Sequence, residues 1–118
     1  MSAFVDRSRY ADCLSGSWLA ARLGIDVPEV DLRRRDGELL GVRPEGADEW
    51  FYPAWQFDGG RVRPVVPRLV AAARAGGLDE PQLYDLLTVR RGLGSSETLV
   101  DLLRRGEDDR VLAAVRRG

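Results

Sequence analysis

The sequence contains no histidine and a single cysteine, Cys13, and these absences exclude two common kinds of reactive site. A nucleophile activated by a Ser–His or Cys–His pair needs the imidazole as its base. A zinc site without histidine would have to rely on carboxylates, which is unusual. No glycine-rich segment matches a phosphate-binding loop or a dinucleotide fingerprint. We therefore expect no catalytic residues, no metal and no cofactor, and a protein that is not an enzyme.

Lysine is also absent, so arginine supplies all 18 basic residues against 19 acidic ones. The net charge of −1 is unevenly spread. Residues 1–60 hold seven Arg and eleven acids, whereas residues 61–118 hold eleven Arg and eight acids. Neither half is basic enough for its electrostatic field alone to indicate nucleic-acid binding.

One cysteine cannot form a disulfide framework, and this usage is typical of a reducing cytoplasm. The sequence lacks a run of about eighteen apolar residues that would span a membrane, and its first residues lack the apolar core of a signal peptide. Its 118 residues and 44% hydrophobic content suit one globular domain or two small subdomains. We expect a cytoplasmic protein without membrane contact.

Residues 15–37 have the pattern of two short helices joined by a tight turn. Ser15 or Ser17 caps the first helix, and Gly24 ends it. Asp26 caps the second helix, which runs to the next glycine. Residues of strand character at 39–42 and 50–52 then flank a polar turn, which predicts a β-hairpin. This order of elements is that of a winged helix-turn-helix.

The second half of the chain predicts four short helices. The first begins at Pro67, the second is capped by Asp79, the third by Ser95 or Ser96, and the fourth follows Glu107. The predicted fold is therefore mainly α. An N-terminal arm at residues 1–14 precedes a winged helix-turn-helix with a short β-hairpin at 15–57, and a C-terminal helical bundle follows at 62–118.

Aromatic residues concentrate in the stretch WFYPAWQFD, which spans residues 50–58 and encloses Gln56. We interpret most of these rings as core. A glutamine buried among them must find hydrogen-bond partners. We therefore expect Gln56 to bond backbone groups at the junction of the two halves.

The candidate DNA-contacting residues are Arg33, Arg34 and Arg35 on the second helix and Arg43 beside the wing turn. Arginine reads guanine or pairs with phosphate, and a recognition helix places such side chains in the major groove. Arginines in a last turn also suit the helix dipole, so a solvated helix end is the alternative. Acidic residues on the same helix oppose DNA binding.

Two later segments carry a resemblance to a known family. YPAWQFDGGRVRPVVP and LGSSETLVDLLRRGEDDRVLAAV resemble the antitoxin family called Xre/MbcA/ParS over roughly residues 50–118. The resemblance implies a cognate RES-type toxin that consumes NAD⁺ and binds the C-terminal helical domain. It also implies that the DNA-binding part represses the shared operon.

We expect the partner surface on the last two helices, in a chain that is also a homodimer. The candidate partner-binding residues are Leu99, Leu102, Leu103, Arg104, Arg105, Arg116 and Arg117. The leucines also suit a core, and the terminal arginines also complement the helix dipole. The competing hypothesis is a protein-interaction module whose helix-turn-helix binds no DNA.

Overall fold

The computed structural model describes residues 10–89 and 96–117, and the chain divides into two compact units. The first unit ends at Arg63 and the second begins at Pro64. The elements of the first unit are β1 (Cys13–Ser15), α1 (Gly16–Leu23), α2 (Val27–Arg35), β2 (Phe51–Pro53), a 3-10 turn (Ala54–Gln56), β3 (Phe57–Asp58) and β4 (Arg61–Val62).

The predicted helix-turn-helix is present as α1 and α2. Ser15 Oγ accepts the Trp18 backbone N–H at 3.1 Å, which makes Ser15 the cap of α1. Gly24 ends α1 with a φ of +71°, a left-handed conformation that favours glycine. The Asp26 side chain accepts the Glu29 N–H at 3.0 Å and caps α2. The local capping signals thus locate both helices.

The predicted wing hairpin is present in reduced form, as one antiparallel bridge in which Val42 and Phe51 exchange both backbone hydrogen bonds. Residues 39–42 form no strand, and they meet the returning chain only at a bridge between Val42 and Phe51. Strand β2 instead pairs antiparallel with β1, so Cys13 and Leu14 lie in a sheet rather than in an arm. Residues 39–42 do not extend this pairing because the Gln56 side chain bonds both the N–H and the carbonyl of Leu40. In a strand, a neighbouring strand would bond these two groups.

A second antiparallel pair, β3 with β4, turns at Gly59 and Gly60. Both glycines have positive φ, 61° and 83°, which a two-residue hairpin turn of this kind requires. The helices and sheets of the first unit enclose a core cluster of Leu19, Ala20, Val30, Leu39 and Tyr52.

The second unit contains α3 (Val65–Ala75), α4 (Glu80–Thr88), α5 (Leu99–Arg104) and α6 (Asp108–Arg117). Helix α3 contacts α4 and α6, and α5 contacts the same two helices, which gives the predicted helical bundle. Asp79 caps α4 as predicted, in a capping box with Gln82. Thr98, rather than Ser95 or Ser96, caps α5. No helix in the described residues is long and apolar enough to cross a membrane.

Candidate nucleic-acid interface

The three consecutive arginines of α2 have three different environments. Arg34 is buried, with 8% of its surface exposed. Its guanidinium carbon lies 3.7 Å from the centre of the Trp50 ring, and its Nη2 lies 2.6 Å from Asp31 Oδ1. Residues four apart share one face of a helix, and Arg34 therefore shares the inner face of α2 with buried Val30. The prediction that Arg34 contacts DNA is wrong because its guanidinium packs inside the unit.

Gly41 makes room for the Arg34 side chain. A Cβ at this position would lie 2.7 Å from Arg34 Cδ and 3.0 Å from Tyr52 Cε1. Both separations are shorter than ordinary carbon–carbon contacts. Arg34 thus connects α2 to the segment that follows it, through Trp50 on one side and the bare backbone of Gly41 on the other.

Asp31 joins the buried arginine to an exposed one. Its Oδ1 accepts from Arg34, and its Oδ2 lies 2.8 Å from Arg35 Nε. The hydrogen bond from Arg34 lowers the pKa of Asp31 below its ordinary value, and the charges of both arginines lower it further. Asp31 is therefore a shared anionic partner on the side of α2.

Arg33 is partly exposed and Arg35 is fully at the surface. Arg33 Nε lies 3.4 Å from Glu29 Oε2, and the Arg35 side chain is 69% exposed beside Asp31. Each therefore pairs with a carboxylate of its own helix. Such exposed pairs contribute little stability, about 0–1 kcal/mol, so a phosphate can replace the carboxylate at low cost.

Arg43 is exposed on the turn, where its Nε donates to the Ala47 carbonyl at 3.3 Å. Two further exposed arginines, Arg22 on α1 and Arg61 on β4, form no ion pair within the described part of the chain. Neither was among the residues predicted to contact DNA. Arg22 could have been found from its place in the last turn of the first helix, since that helix crosses the DNA backbone in helix-turn-helix complexes.

The exposed surface of the helix-turn-helix is also partly apolar. Trp18, Val27 and Leu32 expose 52%, 43% and 48% of their surfaces. In the aromatic stretch, Tyr52 and Trp55 are buried, and Trp50 and Phe57 pack partly buried against the core cluster. Gln56 is buried as well, and its side chain bonds backbone groups of Leu40 and Pro53, which confirms the predicted backbone hydrogen bonds.

The predicted partner-binding leucines are core residues of the second unit. Leu99, Leu102 and Leu103 expose 1%, 2% and 0% of their surfaces. They are therefore buried by the bundle itself, and the predicted apolar contact face is wrong at these three positions.

The predicted partner-binding arginines are exposed. Arg104 and Arg105 line a shallow pocket with Glu97 and Asp101. Arg105 pairs with Glu97, and this hydrogen bond raises the pKa of Arg105. Within the described residues, a predominantly acidic set of neighbours thus surrounds these two guanidiniums.

Arg116 lies at a different surface feature from Arg104 and Arg105. With Arg68 it lines a groove of about 560 Å³ between α3 and α6, over the small residues Ala71, Ala72, Ala75 and Gly76. Arg117 is exposed at the end of α6. The structure therefore separates the two predicted arginine pairs on the surface of the second unit.

A comparison with solved structures finds a similar fold. The chain resembles the NMR structure of Rv2175c with a TM-score of 0.75 and 23% sequence identity, over 89% of this chain and 79% of that one. The two proteins share a fold. This likeness agrees with the predicted winged helix-turn-helix followed by a helical bundle. No protein-family model and no curated protein matches the sequence, so the resemblance to the antitoxin family enters below as a proposal.

Proposed function

We propose that this protein is a cytoplasmic regulator that binds duplex DNA through α1 and α2. The observation that carries the proposal is the capped helix–turn–helix whose second helix presents Leu32, Arg33 and Arg35 at the surface. In helix-turn-helix proteins the second helix enters the major groove, and the first crosses the backbone. We assign α2 to the groove on this basis.

The phosphate-contacting set that the geometry supports differs from the predicted one. Arg33, Arg35 and Arg43 remain in it, Arg22 joins it, and Arg34 becomes the residue that holds α2 in place. Residues 15–36 hold four Arg and four acids, which leaves no net charge on the helix-turn-helix. We therefore expect a modest affinity for DNA. It should depend on individual contacts to phosphates and bases rather than on a strong positive electrostatic field.

Binding to the promoter upstream of the gene tests this proposal. Each phosphate contact contributes about −0.9 to the slope of log affinity against log salt concentration. Arg22→Ala and Arg35→Ala should each reduce the slope by about one unit. Arg68→Ala, an exposed arginine of the second unit, is the matched control and should leave the slope unchanged. Fluorescence anisotropy of a labelled duplex, repeated at several salt concentrations, measures both the affinity and its slope against salt.

The competing hypothesis predicts a different result. A chain that only binds proteins should show no saturable binding to that promoter at low salt. The same result with duplexes drawn from a random library would refute the DNA-binding proposal.

We also propose that the second unit binds and neutralises a RES-type toxin by covering its NAD⁺ pocket. The resemblance over residues 50–118 supports this, as do the exposed guanidiniums of Arg116 and Arg117 at the end of α6. Guanidinium groups pair well with carboxylates in a partner's pocket. The protein would then act by occlusion and not by catalysis.

A truncation tests the occlusion proposal. Deleting residues 116–118 should leave toxin binding intact but abolish protection against NAD⁺ loss in a purified mixture with the proposed cognate RES-type toxin. Full protection by the truncated chain would refute this role for the terminal arginines.

A symmetric dimer is the assembly that we propose for DNA binding, because helix-turn-helix regulators read two half-sites about one helical turn apart. Sedimentation at high micromolar concentration measures the mass directly. A monomer both alone and on DNA would contradict the dimer.

A further inference from the structure

The outer face of α2 has an apolar centre. Helix positions are about 100° apart, so Leu32 lies about 200° from Val30, opposite the buried side of the helix. Pro28 and Arg35 lie about 40° and 60° from Leu32 on the same outer face. Leu32 is 48% exposed at that centre.

Charged groups surround this centre, and one of them is the exposed carboxylate of Asp36, four residues after Leu32. Arg33 is held by Glu29, and Arg35 is held by Asp31. A single exposed leucine on a protein surface is ordinary. Here, however, it occupies the middle of the face that the proposed function directs towards base edges.

Leucine limits what α2 can read in the major groove. It has no donor or acceptor for the guanine, adenine or cytosine edges, and burying those polar groups against it would leave them without hydrogen bonds. Thymine alone presents an apolar group there, its C5-methyl. From this chemistry we propose that Leu32 contacts a thymine methyl and sets specificity for thymine at one position of each half-site. The inference rests on the proposed DNA binding.

The test removes only the methyl group. The full chain first selects duplexes from a random library, and each selected thymine is then replaced singly by uracil, which keeps every hydrogen-bonding group. At one position per half-site, uracil should weaken binding about fourfold, the effect of burying one carbon group. Leu32→Ala should bind the thymine and uracil duplexes equally.

A second variant and a folding control complete the design. Val89→Ala truncates another exposed apolar side chain, in the second unit, and should keep the full thymine preference. Because Leu32 is exposed, Leu32→Ala should unfold at the same denaturant concentration as the unsubstituted chain.

The outcomes separate this inference from the function on which it rests. If the selection enriched no duplex, both the proposed DNA binding and the role of Leu32 would be refuted. Enrichment of a duplex whose binding is unaffected by uracil at every thymine would overturn only the role of Leu32, as would an undiminished thymine preference in Leu32→Ala.

Discussion

Replacing Gln56 by leucine should strongly destabilise the first unit. The side chain is completely buried. Its Oε1 accepts the Leu40 N–H at 2.8 Å, and its Nε2 donates to the carbonyls of Leu40 and Pro53 at 2.8 and 3.1 Å. It thereby fastens the segment after α2 to the turn that precedes β3.

The expected loss in the free energy of unfolding follows from the three backbone groups that lose a hydrogen-bond partner. Leucine has a similar volume, so the packing term changes little. Each buried polar group left without a hydrogen bond costs about 1–3 kcal/mol. The lower limit for three groups is about 3 kcal/mol, a large part of the 5–15 kcal/mol by which a domain is typically stable.

Tryptophan fluorescence during urea unfolding measures this effect in the correct unit. All three tryptophans, Trp18, Trp50 and Trp55, belong to the first unit, so the signal reports its unfolding. Gln82→Glu is the matched control. Gln82 is exposed in the capping box of α4, where glutamate fulfils the same role. A Gln56→Leu protein within about 1 kcal/mol of the unsubstituted chain would refute the reasoning.

Gln56→Glu adds a second test, because the stability of this variant should depend on pH in a direction that can be stated in advance. A carboxylate can accept the Leu40 N–H but cannot donate to the two carbonyls, whereas the protonated acid can donate to one of them. Burial should raise the pKa of the introduced carboxyl above its unfolded value of about 4.3. Its contribution to stability is then greatest below that value and declines as pH rises through the folded pKa. The deficit relative to the unsubstituted chain should therefore be smaller at about pH 4.5 than at about pH 8.

Three further predictions concern neighbouring features. Gly41→Ala should cost about 1–3 kcal/mol in the same fluorescence assay because its methyl would overlap Arg34; an unchanged midpoint would show that this packing is loose. Thr98→Ala should cost the second unit about 1 kcal/mol through its lost cap, seen by circular dichroism and not by fluorescence. The lowered pKa of Asp31 contributes stability above its ordinary value of 3.8 that is lost as pH falls through the folded pKa. Asp31→Asn should therefore reduce the acid sensitivity measured by unfolding between about pH 5 and pH 2, and equal sensitivity would contradict that assignment.

Local signals account for the parts of the fold that the sequence predicts well. Ser15, Asp26 and Asp79 each bond a backbone N–H within three residues, so the sequence around the cap contains all the information needed. The glycine turn at Gly59 and Gly60 is equally local. These elements are predictable because their determining contacts are short in sequence.

Non-local contacts account for what the sequence does not predict. The pairing of Cys13–Ser15 with Phe51–Pro53 joins segments nearly forty residues apart in number. The apolar composition of residues 39–42 indicates a strand. In the structure only Val42 of this segment pairs with the returning chain, because the distant Gln56 side chain takes the backbone hydrogen bonds of Leu40. Hydrophobic periodicity and β-propensity alone do not identify a hydrogen-bond partner that lies far away in the sequence.

At the candidate site, too, the sequence does not reveal every contact of Arg33, Arg34 and Arg35. Helical spacing nevertheless distinguishes the arginines by the face of α2 on which they lie. Helical spacing puts Arg34 on the face of Val30 and puts Arg35 beside Asp31, so spacing is enough to divide the run into inner and outer members. Only the Trp50 ring that receives Arg34 is hidden from the sequence. The division has a consequence for DNA binding. Asp31 binds Arg34 through one oxygen and Arg35 through the other. In the proposed DNA complex, Arg35 would turn to a phosphate while Asp31 kept Arg34 as its cationic partner, so the release of Arg35 would leave no uncompensated charge on α2.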